Sequence, residues 1–519
     1  MKSNTLKNPL FWTDGYKLCH PEQHIEGTEW IYETWTPRKS RLEGVSHAVM
    51  YGLQGALQEL TENFDENFFS QPIENIVKDY EELQHDVFGK TNKTFANNPD
   101  VSRIKALHKL GYLPIKVKGL KEGTFVPVGG GDEQTPHQRK GVPMFTIENT
   151  RDEEFWLPGH LETPLSSMIW LPMTAATIAD KYKRIFDKYA QETSDTPERS
   201  FLQGGDFSMR GMASPEAALR VSGGHLTSFG VSATIGARNY LKDYYDAPGD
   251  VIAYTPSTEH SVMCSYGEGE NELEAFRHMM TNVYPDGNFT IVSDSYDFWN
   301  VIDNVLPQLR EEVLSRDGKV IIRPDSGDPV KILCGDPESE DETVRKGLVQ
   351  RLAEIFGSTM NKKGYLDLDP HIGAVYGDSI TPERAEMICT QLKEKGFATT
   401  NVALGIGSYT YQYNTRDTLG FALKATAEII DGEFQMLQKR PKTDDGGFKT
   451  SQKGMVAVVQ RENDLELVDE LTPEQEANYP GNMFEEIYEN GKLKRFQSFT
   501  EIRQRVAEES KRVYGEKEV

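Results

Sequence analysis

Apolar and polar positions alternate on two length scales between residues 250 and 409. Short apolar runs stop abruptly at polar turns: residues 289–294 read FTIVSD, 320–328 VIIRPDSGD, 374–379 AVYGDS and 402–408 VALGIGS, with DVIAYTPSTEH upstream at 250–260. Segments with helical spacing lie between them, such as 295–316 with Phe298, Val301, Ile302, Val305 and Leu309, and 382–395 with Met387, Ile388 and Leu392. Three consecutive β-branched residues at 320–322 predict a strand covered on both faces, and Pro324, which has no N–H to donate, ends its ladder. Strand, polar turn and helix, repeated, predict an α/β fold with a parallel sheet or barrel. A barrel is favoured, because no early glycine-rich turn of the dinucleotide-binding type opens the series. In either architecture the polar clusters sit at the strands' C-terminal ends, where loops converge on one opening.

The flanks read differently. Residues 1–170 mix aromatic strands, such as 30–35, with amphipathic helices, such as 48–62, which suits an α+β layer. The loop GGGDEQTPHQRKG at 129–141 lies between strand-like FVPV and VPMFTI; its His137, Arg139 and Lys140 either grip phosphate or form a solvated loop. A helix is predicted over 174–191. After residue 409 the periodicity changes, and 465–511 reads as charged and mostly helical, with a turn at Asn490-Gly491.

Charge narrows the function classes. With 81 acidic against 57 basic residues in 519, the formal charge is −24. Such a surface repels nucleic acid and anionic membranes, so a polyanionic substrate must meet a local basic pocket or arrive with a metal ion. Cys19, Cys264, Cys334 and Cys389 have no CxxC spacing, so neither a zinc site nor a disulfide framework is predicted. The amino terminus MKSNTLKNPLFW has no long apolar core and no cleavage pattern, which predicts a cytoplasmic enzyme. The most apolar stretch, 155–179, is interrupted by His160, Glu162 and three prolines, unlike a membrane span.

The strand ends carry the candidate chemistry. His260 in STEHS can act as acid, base or phosphate acceptor, with Asp294 as its partner carboxylate, or it can cap the following helix. Asp325 and Asp378 each precede a serine; they can hold ribose hydroxyls, steer magnesium through water, or serve as helix N-caps. GGDFSMRG at 204–211 can stack a planar ring on Phe207 and bind an anion at Arg210, or be a loop around a buried Phe207. Gly405 and Gly407, followed by Arg416 and Lys424, suit a monophosphate cradle. A glycoside hydrolase would use a carboxylate pair from Asp294, Asp325 and Asp378. A ribosyltransferase would spend the carboxylates on sugar hydroxyls and the basic group on phosphate, and it alone needs the cradle. A barrel used only for binding leaves these polar ends unexplained.

TDGYKLCH at 13–20, GGDFSMRG at 204–211, STEHS at 257–261, VSDSYD at 292–297, IIRPDSGDP at 321–329, YGDS at 376–379 and TRDTLGFALK at 415–424 occur in this order. The set resembles the nicotinamide phosphoribosyltransferases of the type II phosphoribosyltransferase family, from about residue 9 to about residue 505. The resemblance implies an irregular parallel α/β barrel at 174–409 and an outer α+β domain built from both chain ends, 1–173 and 410–519. It implies a homodimer with shared active sites, and the substrates nicotinamide, phosphoribosyl pyrophosphate with bound Mg2+, and ATP. Phe207 and a second copy's Tyr16 match the pair that sandwiches the pyridine ring. Arg323 matches the base-contacting arginine, and Arg210 the one near the pyrophosphate. Asp325, Gly377 and Asp378 match ribose positions. Gly407, Arg416 and Lys424 match the 5′-phosphate site, the last two offered across the dimer. His260 matches the histidine phosphorylated by ATP, with Asp294 orienting it, while Arg38 and Lys439 match further phosphate contacts.

Two departures stand out. Where the family has an aspartate that accepts from the carboxamide, this chain has Ala233; Ser232 is the nearest substitute acceptor. Ala422 and Ser408 replace a serine and a glycine found in some members. Nicotinamide remains the expected acceptor, with nicotinate as acceptor or an ADP-ribose pyrophosphate donor as the variant reading.

Overall fold

Six short strands pair in parallel in the order Val231–Ser232, Gly204–Asp206, Val402–Ile406, Ile372–Tyr376, Val320–Arg323, Phe289–Val292. This is a computed structural model, and it describes residues 7–130, 140–442, 450–462 and 464–515. The two outer strands of the six do not end as free edges. Ala253 bridges Val231 and Ser257 bridges Thr290, both in parallel, and Thr290 N donates to Pro256 O at 2.8 Å. The stretch 253–257 therefore closes the sheet into a barrel in which chain neighbours are spatial neighbours. Residues 251–254, expected as a regular strand, form instead an extended strap held by those bridges. Pro256 has no N–H for a continuous ladder, which accounts for the difference.

The strand sequences follow from their surroundings. Phe289–Val292 and Ile372–Tyr376 are buried at every position, as runs covered on both faces must be. Val320–Arg323 alternates instead, with Ile321 and Arg323 half-buried. Its period of two puts both side chains on one face, and both line the barrel's cavity. Asp328 caps the helix Pro329–Cys334 and Thr381 caps Pro382–Glu394. The segment after Asp294 is broken into Phe298–Asn300, Val301–Val305, Leu306–Gln308 and Arg310–Leu314. Pro307 cannot complete the helical ladder there.

The described chain divides into two units, one of residues 178–239 and 248–413 containing the barrel, the other of residues 1–177, 240–247 and 414–519. The second contains a seven-stranded sheet ordered Glu433–Met436, Phe421–Ile430, Thr28–Pro37, Phe145–Asn149, Ile115–Gly119, Glu485–Glu489, Lys492–Leu493. Both chain ends contribute strands. Its core is aromatic: Trp35 stacks on Phe145 at 5.9 Å and on Phe421 at 5.3 Å.

Three local expectations change. Residues 47–49 pair as a strand with Phe125–Pro127, and the helix expected from residue 48 begins at Leu53. Gly52, at φ 94°, is the reason, since that backbone conformation cannot belong to a right-handed helix. The helix expected from 174 begins at Leu157 and runs to Thr193 through Pro164 and Pro172. The stretch 465–511 is only partly helical: Asp464–Leu471 and Glu485–Glu489 are strands, and Phe499–Tyr514 is the long helix. LELVDEL pairs along Met455–Arg461 with a register shift between Met455 and Ala457, and Asn490 and Gly491, at φ 51° and 79°, make a tight hairpin turn. His137 and Arg139 lie outside the described residues. Among the described residues no helix is long and apolar enough to cross a membrane.

Candidate active site at the barrel strand ends

One carboxylate organises the C-terminal edge of the barrel. Asp294, two residues past Phe289–Val292, accepts from His260 Nε2 at 3.0 Å through Oδ1. Its Oδ2 accepts from the Asp325 amide at 3.0 Å, the Ser326 amide at 2.8 Å and the Ser326 hydroxyl at 2.6 Å. Burial pushes this carboxyl up, but the Ser326 and Asp325 donors and His260 outweigh it and hold Asp294 below the usual carboxylate range. His260 is the first residue of the short helix His260–Cys264, and nearly half of its side chain is exposed. It does not cap that helix. With Asp294 ionised, Nε2 carries the proton and Nδ1 is left to react.

Arg323 reaches Asp325 through a fork, Nε to Oδ1 at 2.9 Å and Nη2 to Oδ2 at 2.8 Å. Its guanidinium carbon also lies 5.5 Å from the Phe207 ring centroid. Tyr254, on the closing strap, meets Phe207 edge-on at 6.3 Å. Gly377 is required at this crowded point, because a Cβ there would sit 2.2 Å from Asp325 Oδ1 and 2.8 Å from Arg323 Nε. Gly405 likewise admits the Phe207 ring, whose Cδ2 would be 2.5 Å from an added Cβ. Neither Asp325 nor Asp378 is a helix N-cap; Asp328 and Thr381 hold those positions. Asp378 accepts from the Ser379 hydroxyl at 2.8 Å, and Ser379 sits in the left-handed region at φ 57°. Backbone strain of that kind costs about 1–3 kcal/mol and collects at functional sites.

Behind these residues a cavity of about 750 Å³ runs inside the barrel, lined by Phe207, Val231, Tyr254, Ile321 and Arg323 among others. The described lining includes Arg199, Lys319 and Arg323 but no aspartate or glutamate. Lys319 immediately precedes the strand Val320–Arg323 and has Asp367 and Asp369 near it, so of these three cations Arg323 is the one at the strand's C-terminal end. Gly407 precedes the short helix Ser408–Gln412, and a Cβ on Gly211 would lie 2.1 Å from Ser408 Oγ, so the turn carrying Arg210 packs on that loop. Ser232 is not brought to the cavity. It is fully buried, donates to Asp206 Oδ2 at 2.9 Å and pairs with Ser222 at 2.8 Å. Ala233 donates its amide to Asp206 O at 2.8 Å.

The remaining candidates belong to the other unit. Arg38 follows the strand Thr28–Pro37, and its Nε donates to Gly420 O at 3.1 Å. Lys424, paired in the sheet with Thr34, donates to Glu162 Oε1 at 2.9 Å, and Lys17 takes the other Glu162 oxygen. Tyr16 is exposed beside Lys17, whose ammonium is 5.4 Å from the ring centroid. Arg416 is exposed on its turn, and Lys439 is tied to Ser451 through its backbone amide. Sequence reasoning did not single out Tyr254, Lys17 or Glu162. Tyr254 and Lys17 sit inside quoted motifs, DVIAYTPSTEH and TDGYKLCH, whereas Glu162 carried no signal beyond a charge in an apolar run.

The model of the nicotinate phosphoribosyltransferase (NAPRTase) family matches residues 202–484. A protein of Acinetobacter baylyi named nicotinamide phosphoribosyltransferase is 42% identical over 515 residues, covering 97% of both chains. One of the same name from Mycoplasma pneumoniae is 34% identical over 456 residues, covering 85% of this chain and 94% of its own. Human nicotinic acid phosphoribosyltransferase shares the fold at TM-score 0.58 and 17% identity, covering 97% of this chain and 93% of that one. Nicotinate-nucleotide pyrophosphorylase of Pyrococcus furiosus does so at TM-score 0.56 and 14% identity, covering 96% and 94%. Matched by the family model over more than half its length and by a close relative along nearly all of it, the chain belongs to the nicotinate phosphoribosyltransferase family.

Proposed function

We propose that the protein is a nicotinamide phosphoribosyltransferase of NAD salvage, a pentosyltransferase that joins nicotinamide to phosphoribosyl pyrophosphate and releases nicotinamide mononucleotide and pyrophosphate. The observation that carries the reading is the single Asp294 carboxylate that holds both His260 and the turn bearing Asp325, beside Phe207 and Arg323. The pyridine ring lies against Phe207, and its nitrogen forms the new bond to the anomeric carbon as the bond to pyrophosphate breaks. Positive charge develops on the ribose, so positioning and stabilisation of the leaving anion lower the barrier. Arg323 and Arg210 serve the base and the pyrophosphate; Asp325, Gly377 and Asp378 meet the ribose. Gly407 takes the 5′-phosphate together with Arg416 and Lys424 of a second copy, whose Tyr16 completes the ring sandwich in a cytoplasmic homodimer; Arg38 and Lys439 add phosphate contacts.

Among the described residues no group of three or more histidine, cysteine, aspartate or glutamate side chains is arranged to hold a metal. Magnesium belongs to this reading as part of the donor, bound to its pyrophosphate. ATP enters as a coupling substrate. The His260 Nδ1 lone pair takes the γ-phosphoryl group, the bond to the bridging oxygen breaks and ADP leaves; water later removes the phosphoryl group from the ring.

A glycoside hydrolase finds little support, since the described cavity lining has no carboxylate and Asp325 is engaged by Arg323. A second reading does have an observation in its favour. With alanine at 233, that position supplies no anion to repel nicotinate, and the neighbouring Asp206 is buried and bonded to Ser232 and Thr234. Initial rates with nicotinamide and nicotinate, each with phosphoribosyl pyrophosphate and with ADP-ribose pyrophosphate, test the acceptor and the donor of the proposal together. Fastest turnover of nicotinamide with the smaller donor is expected; faster nicotinate turnover, or activity with the larger donor alone, overturns the proposal.

A further inference from the structure

We infer that Glu162 is a positioning residue, whose one carboxylate holds the turn that presents Tyr16 and also holds the Lys424 ammonium. The inference rests on the substrate roles of Tyr16 and Lys424 proposed above and adds the group that couples them. Glu162 lies in the first turns of the helix Leu157–Thr193. Its side chain is 14% exposed, against 5% for Lys17 and 34% for Lys424. Each carboxylate oxygen takes one lysine: Oε2 meets Lys17, within the turn Gly15–Cys19, and Oε1 meets Lys424 at 2.9 Å.

Neighbouring helix residues fasten the same segment. Thr163 Oγ1 donates to Asp14 Oδ2 at 2.9 Å, Thr13 Oγ1 donates to His160 O at 3.0 Å, and His160 Nε2 donates to Leu10 O at 2.9 Å. The helix thus fixes where residues 10–17 run, and Glu162 adds the charged contact nearest Tyr16. Lys424 Nζ also donates to Leu423 O at 2.7 Å. Its ammonium is therefore held by two acceptors rather than left to swing on a four-carbon stem.

The buried Glu33 carboxyl faces the same three groups, but Glu162 is the carboxylate that both ammonium groups reach, and this shared anion offsets the cost of holding Lys17 almost out of water. Neutralising Glu162 leaves two nearby cations without their common partner, so both the Tyr16 turn and the Lys424 head lose their set positions. A residue that only stabilised the fold would not affect the two substrates in this paired way.

The test uses the full-length enzyme and the variants Glu162→Gln, Lys17→Met and Lys424→Met, with KM measured separately for nicotinamide and for phosphoribosyl pyrophosphate. Glu162→Gln is expected to raise both by about tenfold, Lys17→Met that for nicotinamide alone, and Lys424→Met that for the donor alone. Glu162→Asp is expected to recover part of the loss. Unchanged KM values in Glu162→Gln, with only a lower Tm, overturn the inference. If that variant does not fold, Lys17→Met decides: an unaltered nicotinamide KM is the overturning result. A wild-type enzyme inactive on these two substrates removes the functional reading itself, a result distinct from either.

Discussion

Asp294 and His260 stand 3.0 Å apart, and the second oxygen of the same carboxylate takes three hydrogens from Asp325 and Ser326. The histidine's orientation is thereby tied to the turn that carries Asp325. Asp294→Asn keeps the shape but replaces an obligate acceptor with an amide, freeing the ring to take the other tautomer. ATP hydrolysis should fall by up to about 10⁴-fold, the loss seen when an orienting carboxylate is replaced by its amide. Transfer to nicotinamide in the absence of ATP should fall less. The folded Asp294 titrates below its unfolded value, so its stabilising contribution is present at neutral pH and is lost only as pH falls below the ordinary carboxylate range.

Arg323 and Gly377 make a paired prediction. The fork from Arg323 to Asp325 uses two parallel bonds, which a lysine's single ammonium cannot reproduce. Arg323→Lys should therefore raise KM for nicotinamide by roughly tenfold or more. Gly377→Ala introduces a methyl 2.2 Å from Asp325 Oδ1 and 2.8 Å from Arg323 Nε, displacing the carboxylate from the same fork. Its larger effect should fall on the donor KM. Equal effects of both variants on both substrates would contradict the separate roles.

Much of the barrel was legible because buried parallel strands announce themselves: FTIV, VII and AVY are apolar throughout and stop at polar turns. The closing strap was not, because 253–257 makes only isolated bridges and carries Pro256. The helical reading of 465–511 failed for a similar reason. Leu467 and Val468 are adjacent apolar residues next to a register shift in the pairing, so no period of two marks this strand in the sequence. At the site, His260 with Asp294 could be paired from equivalent strand-end positions. Glu162 could not be linked to Lys17 and Lys424, since those contacts span 145 and 262 residues and leave no local pattern.

Glu33 and His160 should give stability a pH dependence with two opposed arms. Glu33, buried and with Oε2 lacking a hydrogen-bond partner, is pushed up to about 7 by burial and Glu162, against the pull of Lys17 and Lys424. Between the ordinary glutamate value of 4.5 and about 7 the folded state binds the extra proton, so stability falls as pH rises through that window. His160 is lowered to about 4 by burial, from an ordinary value of 6.5. Between those values the unfolded state binds the extra proton, so stability falls as pH drops. Glu33→Gln should raise the Tm at pH 8 and change little at pH 5, with a gain on the order of 2 kcal/mol. Thermal melts of both proteins from pH 5 to 8 check this; a loss that appears only at the upper end of the range would mean that the ionised carboxylate is a net stabiliser.

Ala233 decides between the two pyridine acids and amides if its neighbourhood faces the base. Val231, two residues away, lines the cavity, while Ser232 between them is sealed against Asp206. Residue 233 lies in the bend just past the strand Val231–Ser232, and it is half-exposed. An aspartate there can accept from a carboxamide N–H and repel a carboxylate, so Ala233→Asp should raise the kcat/KM ratio of nicotinamide over nicotinate by about 10–100-fold. Ala233→Asn separates the two causes, because its side-chain oxygen accepts from the amide without repelling the acid. A rise in both variants assigns the preference to hydrogen bonding, and a rise in aspartate alone assigns it to charge. An unchanged ratio in both removes position 233 from the base pocket and leaves Arg323, the cation beside Phe207, as the group that sets which pyridine is taken.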